Sequence, residues 1–179
     1  MLDPAIGALL AGVFALLFAA AAVHKLRAPA HFAEIFAAYR MLPPGAARMA
    51  MVVPLLEGLV AAALLVRAAR APAAAAGAAL LLMYAAAIAV NLRRGRLDLA
   101  CGCGGPDERR PIAPWMVVRN LLLALALAVL LRPWLARPWS AADALTVVGG
   151  IAVAALIYLS LDRLLSRVVP QGARLMGAA

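Results

Sequence analysis

An all-α fold is what this sequence predicts: a polytopic transmembrane helix bundle, with a four-helix core, a fifth span and a short amphipathic interfacial helix. Three observations lead there. Hydrophobic residues make up 67% of the 179 positions and charged residues 14%, where a soluble domain is about half apolar and about a quarter charged. The mean hydropathy is +0.98. The apolar residues gather into five runs of membrane-crossing length, and most of the charges fall in the gaps between them.

The first run, 4–23, has no ionisable residue and is long enough, at about 1.5 Å per residue, to cross a hydrocarbon core of about 30 Å. Met1-Leu2-Asp3 precedes it without Lys or Arg, and Lys25 and Arg27 follow it. That polarity is wrong for a cleaved signal peptide, so the run reads as a span. In the segment 29–42, Phe32, Ile35, Phe36 and Tyr39 recur at i, i+3, i+4 and i+7 between Arg27 and Arg40, the pattern of a helix lying in the interface. Pro43-Pro44-Gly45 ends it. The second span, 49–66, gathers Pro54, Glu57, Gly58 and Ala61 on one face, as close helix packing in lipid requires. Further spans are 71–90, 112–131 and 144–161, with a polar loop over 92–111. No gap is long enough for a second core and no internal repeat is evident, so residues 1–179 form a single integral membrane domain.

The excess of basic residues, 17 Lys+Arg against 8 Asp+Glu, belongs to topology and lipid contact; nucleic acid is not an expected partner. Five crossings place the termini on opposite sides. The gaps after the first and third spans and the tail carry Lys25, Arg27, Arg40, Arg48, Arg93, Arg94, Arg96, Arg109, Arg110, Arg163, Arg167 and Arg174, whereas the other face has only Arg67, Arg70, Arg132 and Arg137. The positive-inside rule therefore assigns the 92–111 loop to the cytoplasm.

That loop holds the only cysteines, in Cys101-Gly102-Cys103-Gly104-Gly105-Pro106. Its glycines permit the tight backbone that would bring two sulfurs together. A disulfide across so short a separation is strained and therefore exchangeable, and the arginines around it favour the thiolate. A metal site formed by Cys101, Cys103, His24 and His31 is an alternative, although neither pair has the usual zinc-ligand spacing. Two incidental cysteines in a glycine-rich turn are the remaining reading.

Ionised groups within a bilayer are costly, which singles out Glu57 and Arg119 together with Asn91 and Asn120. Counted from the cysteine-bearing face, Glu57 lies about 12 Å deep and Arg119 about 8 Å deep. These depths suit a structural Glu57–Arg119 ion pair, or a polar site for a quinone head group or for protons. His24 and Lys25 read as interface anchors. There is no catalytic triad, phosphate-binding glycine loop, heptad repeat or paired carboxylate.

The run from Asn91 to Gly105, NLRRGRLDLACGCGG, followed by Arg119-Asn120 in the next span, resembles the signature of the methylamine utilisation protein MauE family. That family commonly has Phe-Gly after Cys-Gly-Cys, where this chain has Gly104-Gly105, a departure that bears on the partner or on local packing. Lys25-Leu26, Phe32, Tyr39, Leu42-Pro43 and Glu57-Gly58 resemble the wider MauE/DoxX-like set, and the likeness covers most of residues 20–120. The resemblance implies a multi-pass protein of the bacterial inner membrane that supports disulfide formation in the small subunit of methylamine dehydrogenase, a periplasmic polypeptide, together with a thioredoxin-like partner. It makes Cys101 and Cys103 the redox pair. Arg119 and Asn120 are supporting polar residues, joined by Glu57, Asn91, Arg96 and Asp98.

Periplasmic thiol chemistry and the arginine count assign the loop to opposite sides, unless the motif relays electrons across the bilayer. The leading expectation is a thiol–disulfide relay with quinone as a candidate electron carrier. A non-redox assembly factor or scaffold and a metal-handling protein are the alternatives.

Overall fold

The computed structural model describes residues 3–41, 43, 49–102, 111–135 and 137–176, with backbone alone at 162 and from 165 onward. Cys103, Leu42, Pro44, Gly45, Arg48, Arg109 and Arg110 lie outside the described residues.

Among the described residues there are six α-helices: α1 (Pro4–Arg27), α2 (Pro29–Ala38), α3 (Val52–Leu65), α4 (Arg70–Arg93), α5 (Pro114–Ala128, prolonged by a 3-10 turn over Val129–Leu131) and α6 (Ala141–Met176). An isolated β-bridge pairs Ala100 with Pro111. Helix starts follow local chemistry. Asp3 caps α1 by accepting from the Ala5 N–H at 2.8 Å, and Pro4, Pro29 and Pro114 open α1, α2 and α5, where a missing N–H costs nothing. Gly95 stands at φ +70° beyond the end of α4, a conformation that favours glycine.

Among the described residues, four segments, Pro4–Arg27, Arg67–Arg93, Pro114–Leu131 and Ala141–Leu161, are long and apolar enough to cross a membrane. The apolar helix α3 is shorter, with 14 residues, or about 21 Å of rise. It starts at Val52, not Met49, because Met49–Met51 form a turn before it. Elsewhere the helices outrun the apolar stretches: α1 continues through Lys25 and α4 through Asn91 to Arg93, because both polar side chains turn inward and are satisfied there. The helix expected over 29–42 ends at Ala38, and Arg40 takes a left-handed conformation at φ 48°.

The core is formed by α1, α3, α4 and α5. α1 packs on α3, and α4 on both α3 and α5, while α6 lies outside against α1. Phe14, Phe18, Val60, Leu64, Leu80, Leu81, Leu127 and Leu130 fill the centre. Close approach depends on glycine: a Cβ on Gly77 would come 2.8 Å from Leu127 and 2.9 Å from Phe18, and one on Gly12 would overlap Ile151 of α6.

Side-chain contacts fix the direction of each helix. The ends of α1 and α4, the starts of α3 and α5, helix α2 and Cys101 share one end of the bundle. Pro4, the α3–α4 turn, the end of α5 and the start of α6 share the other. There, Arg137 donates to Asp3 at 2.8 and 2.9 Å and to Asp143 at 2.7 and 2.6 Å, tying the start of α1 to the start of α6.

Candidate functional site: a cysteine loop above a buried charge cluster

At the cysteine end the chain leaves α4, turns at Gly95 and returns to α5 through the 92–111 loop. The base of this loop is closed by the Ala100–Pro111 bridge and by the Ile112 N–H donating to the Leu99 carbonyl at 2.9 Å. Leu99 and Ile112 are buried with Ile88 and Met116, and Cys101, Tyr39 and Trp115 each pack against this group. Cys101 is disulfide-bonded; the only other cysteine in the sequence is Cys103. Gly102 has φ +68°, and a Cβ there would meet Ile35 of α2 at 3.2 Å. Helix α2 therefore lies directly against the loop.

Asn91 holds this end together. Fully buried, it donates to the Tyr39 carbonyl at 3.2 Å and to the Ala87 carbonyl at 3.0 Å, while its own carbonyl accepts from Arg96 at 3.0 Å. One side chain thus links α4, the end of α2 and the loop. Arg94 adds a bond to the Arg40 carbonyl at 3.4 Å. The Tyr39 hydroxyl is buried without a hydrogen-bond partner among the described residues, and burial pushes its phenol up to about 12. Asp98 is exposed.

About two turns deeper along α4, roughly 10 Å by helical rise, lies the second layer. Lys25 Nζ donates to Glu57 Oε1 at 2.5 Å, and the Tyr84 hydroxyl donates to the same oxygen at 2.7 Å. Lys25 is 9% exposed and Glu57 fully buried. The ammonium also sits 5.5 Å from the Phe32 ring centroid and 5.4 Å from that of Tyr84, so the cation meets a carboxylate and two aromatic faces in place of water.

Asn120 belongs at this level by register. Gly77 meets both Phe18 and Leu127. About two turns from that layer toward the cysteine end come Tyr84 on α4, Lys25 on α1 and, counting back along the antiparallel α5, Asn120. Asn120 is 3% exposed. Its Nδ2 and Glu57 Oε2 are both buried without a hydrogen-bond partner among the described residues.

The expected Glu57–Arg119 ion pair is therefore replaced by Glu57–Lys25. Arg119 lies with its guanidinium 5.3 Å from the Trp115 ring centroid. Successive residues on a helix point about 100° apart, and with Asn120 turned inward Arg119 lies to the side. Lys25, expected to be an interface anchor, is instead the buried partner. The signal was present in the sequence: Ala11, Phe14, Phe18, Ala22 and Lys25 continue one buried stripe on α1, and Gly77, Leu81, Tyr84, Ile88 and Asn91 another on α4.

Among the described residues no three potential metal ligands converge; Cys103 of the alternative metal set lies outside them. His24 is exposed, and His31 Nδ1 faces Glu34 at 4.0 Å.

Comparison with known proteins places this geometry in a sequence context. The family profile described as methylamine utilisation protein MauE matches residues 3–133. Curated methylamine utilization MauE proteins are similar over most of their length. That of Paracoccus denitrificans is 42% identical over 82% of this chain and 80% of its own, and that of Paracoccus versutus is 42% identical over 90% and 88%. That of Methylophilus methylotrophus is 38% identical over 89% and 86%. No solved structure matches the chain.

Proposed function

Because the chain belongs to the MauE family of methylamine utilisation proteins, we propose that it is a membrane thiol–disulfide relay of the bacterial inner membrane. Its task is disulfide formation in the methylamine dehydrogenase small subunit or a similar secreted protein. Cys101 and Cys103 form the exchanging pair, and a thioredoxin-like protein is the soluble partner. The observation that carries this reading is that Cys101 is disulfide-bonded in a loop braced by Leu99, Ile112 and Asn91 against the bundle.

In the exchange, a partner thiolate attacks one sulfur of the pair, the S–S bond breaks and a mixed disulfide forms. The second thiolate of the partner then displaces the cysteine, so the partner is oxidised and the pair gains two electrons and two protons. Reoxidation returns these to an acceptor, for which a quinone is the membrane-soluble candidate. Glu57, Tyr84, Lys25 and Asn120 below the loop offer the polar groups that a quinone head group or a proton path needs.

The test is maleimide trapping in intact cells with membrane-permeant and impermeant reagents, before and after reduction, combined with Cys101→Ser and Cys103→Ser. A relay facing the periplasm gives an oxidised pair that releases two thiols on reduction, reacts from outside, and loses function in either variant. Full function in both serine variants would leave a non-redox assembly factor as the better account.

A further inference from the structure

At the end of the bundle remote from the cysteines, the start of α1, the α3–α4 turn and the end of α5 enclose a pocket of about 430 Å³. Its wall contains Arg67, Arg70 and Arg132, together with Leu130, Leu131 and Trp134, and no carboxylate is among the described residues that line it. The face is otherwise poor in cations: the remaining basic residue, Arg137, is held by Asp3 and Asp143. The other three arginines of this face have thus converged on one cavity.

Like charges in a partly apolar cavity repel unless an anion joins them. The start of α4 is itself bonded, the Ala69 and Arg70 N–H groups donating to the Val66 and Arg67 carbonyls and Arg70 Nε to the Leu64 carbonyl at 3.2 Å, so the cavity's demand for an anion rests on the three guanidinium groups. Trp134 packs its ring on Gly7 of α1 and closes one side of the pocket, and Leu131, half-exposed, carries the wall on as an apolar surface. A phosphate above and an acyl chain alongside satisfy every one of these features.

We propose that this pocket binds the headgroup of an anionic phospholipid, with Arg67, Arg70 and Arg132 around the phosphate and an acyl chain along Leu131. The site is independent of the cysteine chemistry at the opposite end.

The test is native mass spectrometry of the purified full chain in detergent, titrated with phosphatidylglycerol, phosphatidylcholine or inorganic phosphate. The wild type retains phosphatidylglycerol in preference to phosphatidylcholine. Arg67→Gln with Arg132→Gln weakens that binding by at least about tenfold, while Arg67→Lys with Arg132→Lys recovers most of it at equal helix content. Equal retention in wild type and the glutamine variant overturns the site. Binding of inorganic phosphate with no preference between the two lipids overturns the lipid assignment in favour of a free anion. Should the glutamine variant fail to fold, ionic strength decides on the wild type: selective loss of phosphatidylglycerol with added salt supports the site, and salt-indifferent binding overturns it.

Discussion

Lys25 on α1 and Glu57 on α3 form an ion pair that is almost wholly removed from solvent, with Tyr84 of α4 donating to the same carboxylate oxygen and Phe32 of α2 against the ammonium. Four helices therefore meet at one charged contact, below the loop that carries Cys101. Desolvating two ions is costly, and the contact is stable only while both are present.

Removing one member should accordingly be more damaging than removing both. Lys25→Met, which leaves the Glu57 carboxylate buried alone, is expected to destabilise the protein by about 3–5 kcal/mol. Lys25→Met with Glu57→Leu should recover a substantial part of that loss. Thermal unfolding in detergent, run as a double-mutant cycle, checks this; strictly additive losses would contradict the pairing.

Asn91 makes the link between α4, Tyr39 and Arg96. Asn91→Leu leaves the Tyr39 carbonyl without this donor and Arg96 without its acceptor, at a cost of about 1–3 kcal/mol. Amide hydrogen exchange should quicken around Tyr39–Met41 and Arg96–Gly102 while the centres of α1 and α4 keep their protection. Unchanged exchange in both loops would show that Asn91 does not brace them.

Gly77→Ala places a methyl group against Leu127 and Phe18, whereas a Cβ added at Gly58 would meet nothing within 4 Å. The first substitution is expected to cost about 1–3 kcal/mol through overpacking, and Gly58→Ala should be neutral or slightly stabilising. Melting temperatures of the two variants provide the comparison.

Acid should loosen the junction of α1 with α6. Hydrogen bonds from Arg137 hold the Asp3 carboxyl below its ordinary value of 3.8, and the bonds to Asp143 and Asp3 together raise the Arg137 guanidinium. With the folded value of Asp3 depressed, the stabilising contribution is fully present above 3.8 and is lost as pH falls through the folded value. The group is exposed, so salt should shrink the effect. Melting of wild type and Asp3→Asn, compared across acidic pH at low ionic strength, should converge at the acid end. A difference that is constant with pH would contradict the assignment.

The helix bundle, a helix over Pro29–Ala38 and the placement of Cys101 in a polar loop at one end were legible in the residues alone, because hydropathy and turn chemistry are local properties that the bilayer reads segment by segment. Depth counting also placed Glu57 well inside the bundle. Its partner was decided by the tertiary structure. Depth along a helix is set by residue number, but contact also depends on how each helix is rotated about its axis and which neighbour it faces. The packing of α1 against α3 brings Lys25 to Glu57, α4 adds Tyr84, and α5 turns Asn120 inward with Arg119 to the side. The bond from Asn91 to Tyr39 and the gathering of Arg67, Arg70 and Arg132 around one pocket have the same origin. They join residues far apart in the chain, which only the lateral arrangement of the helices brings together.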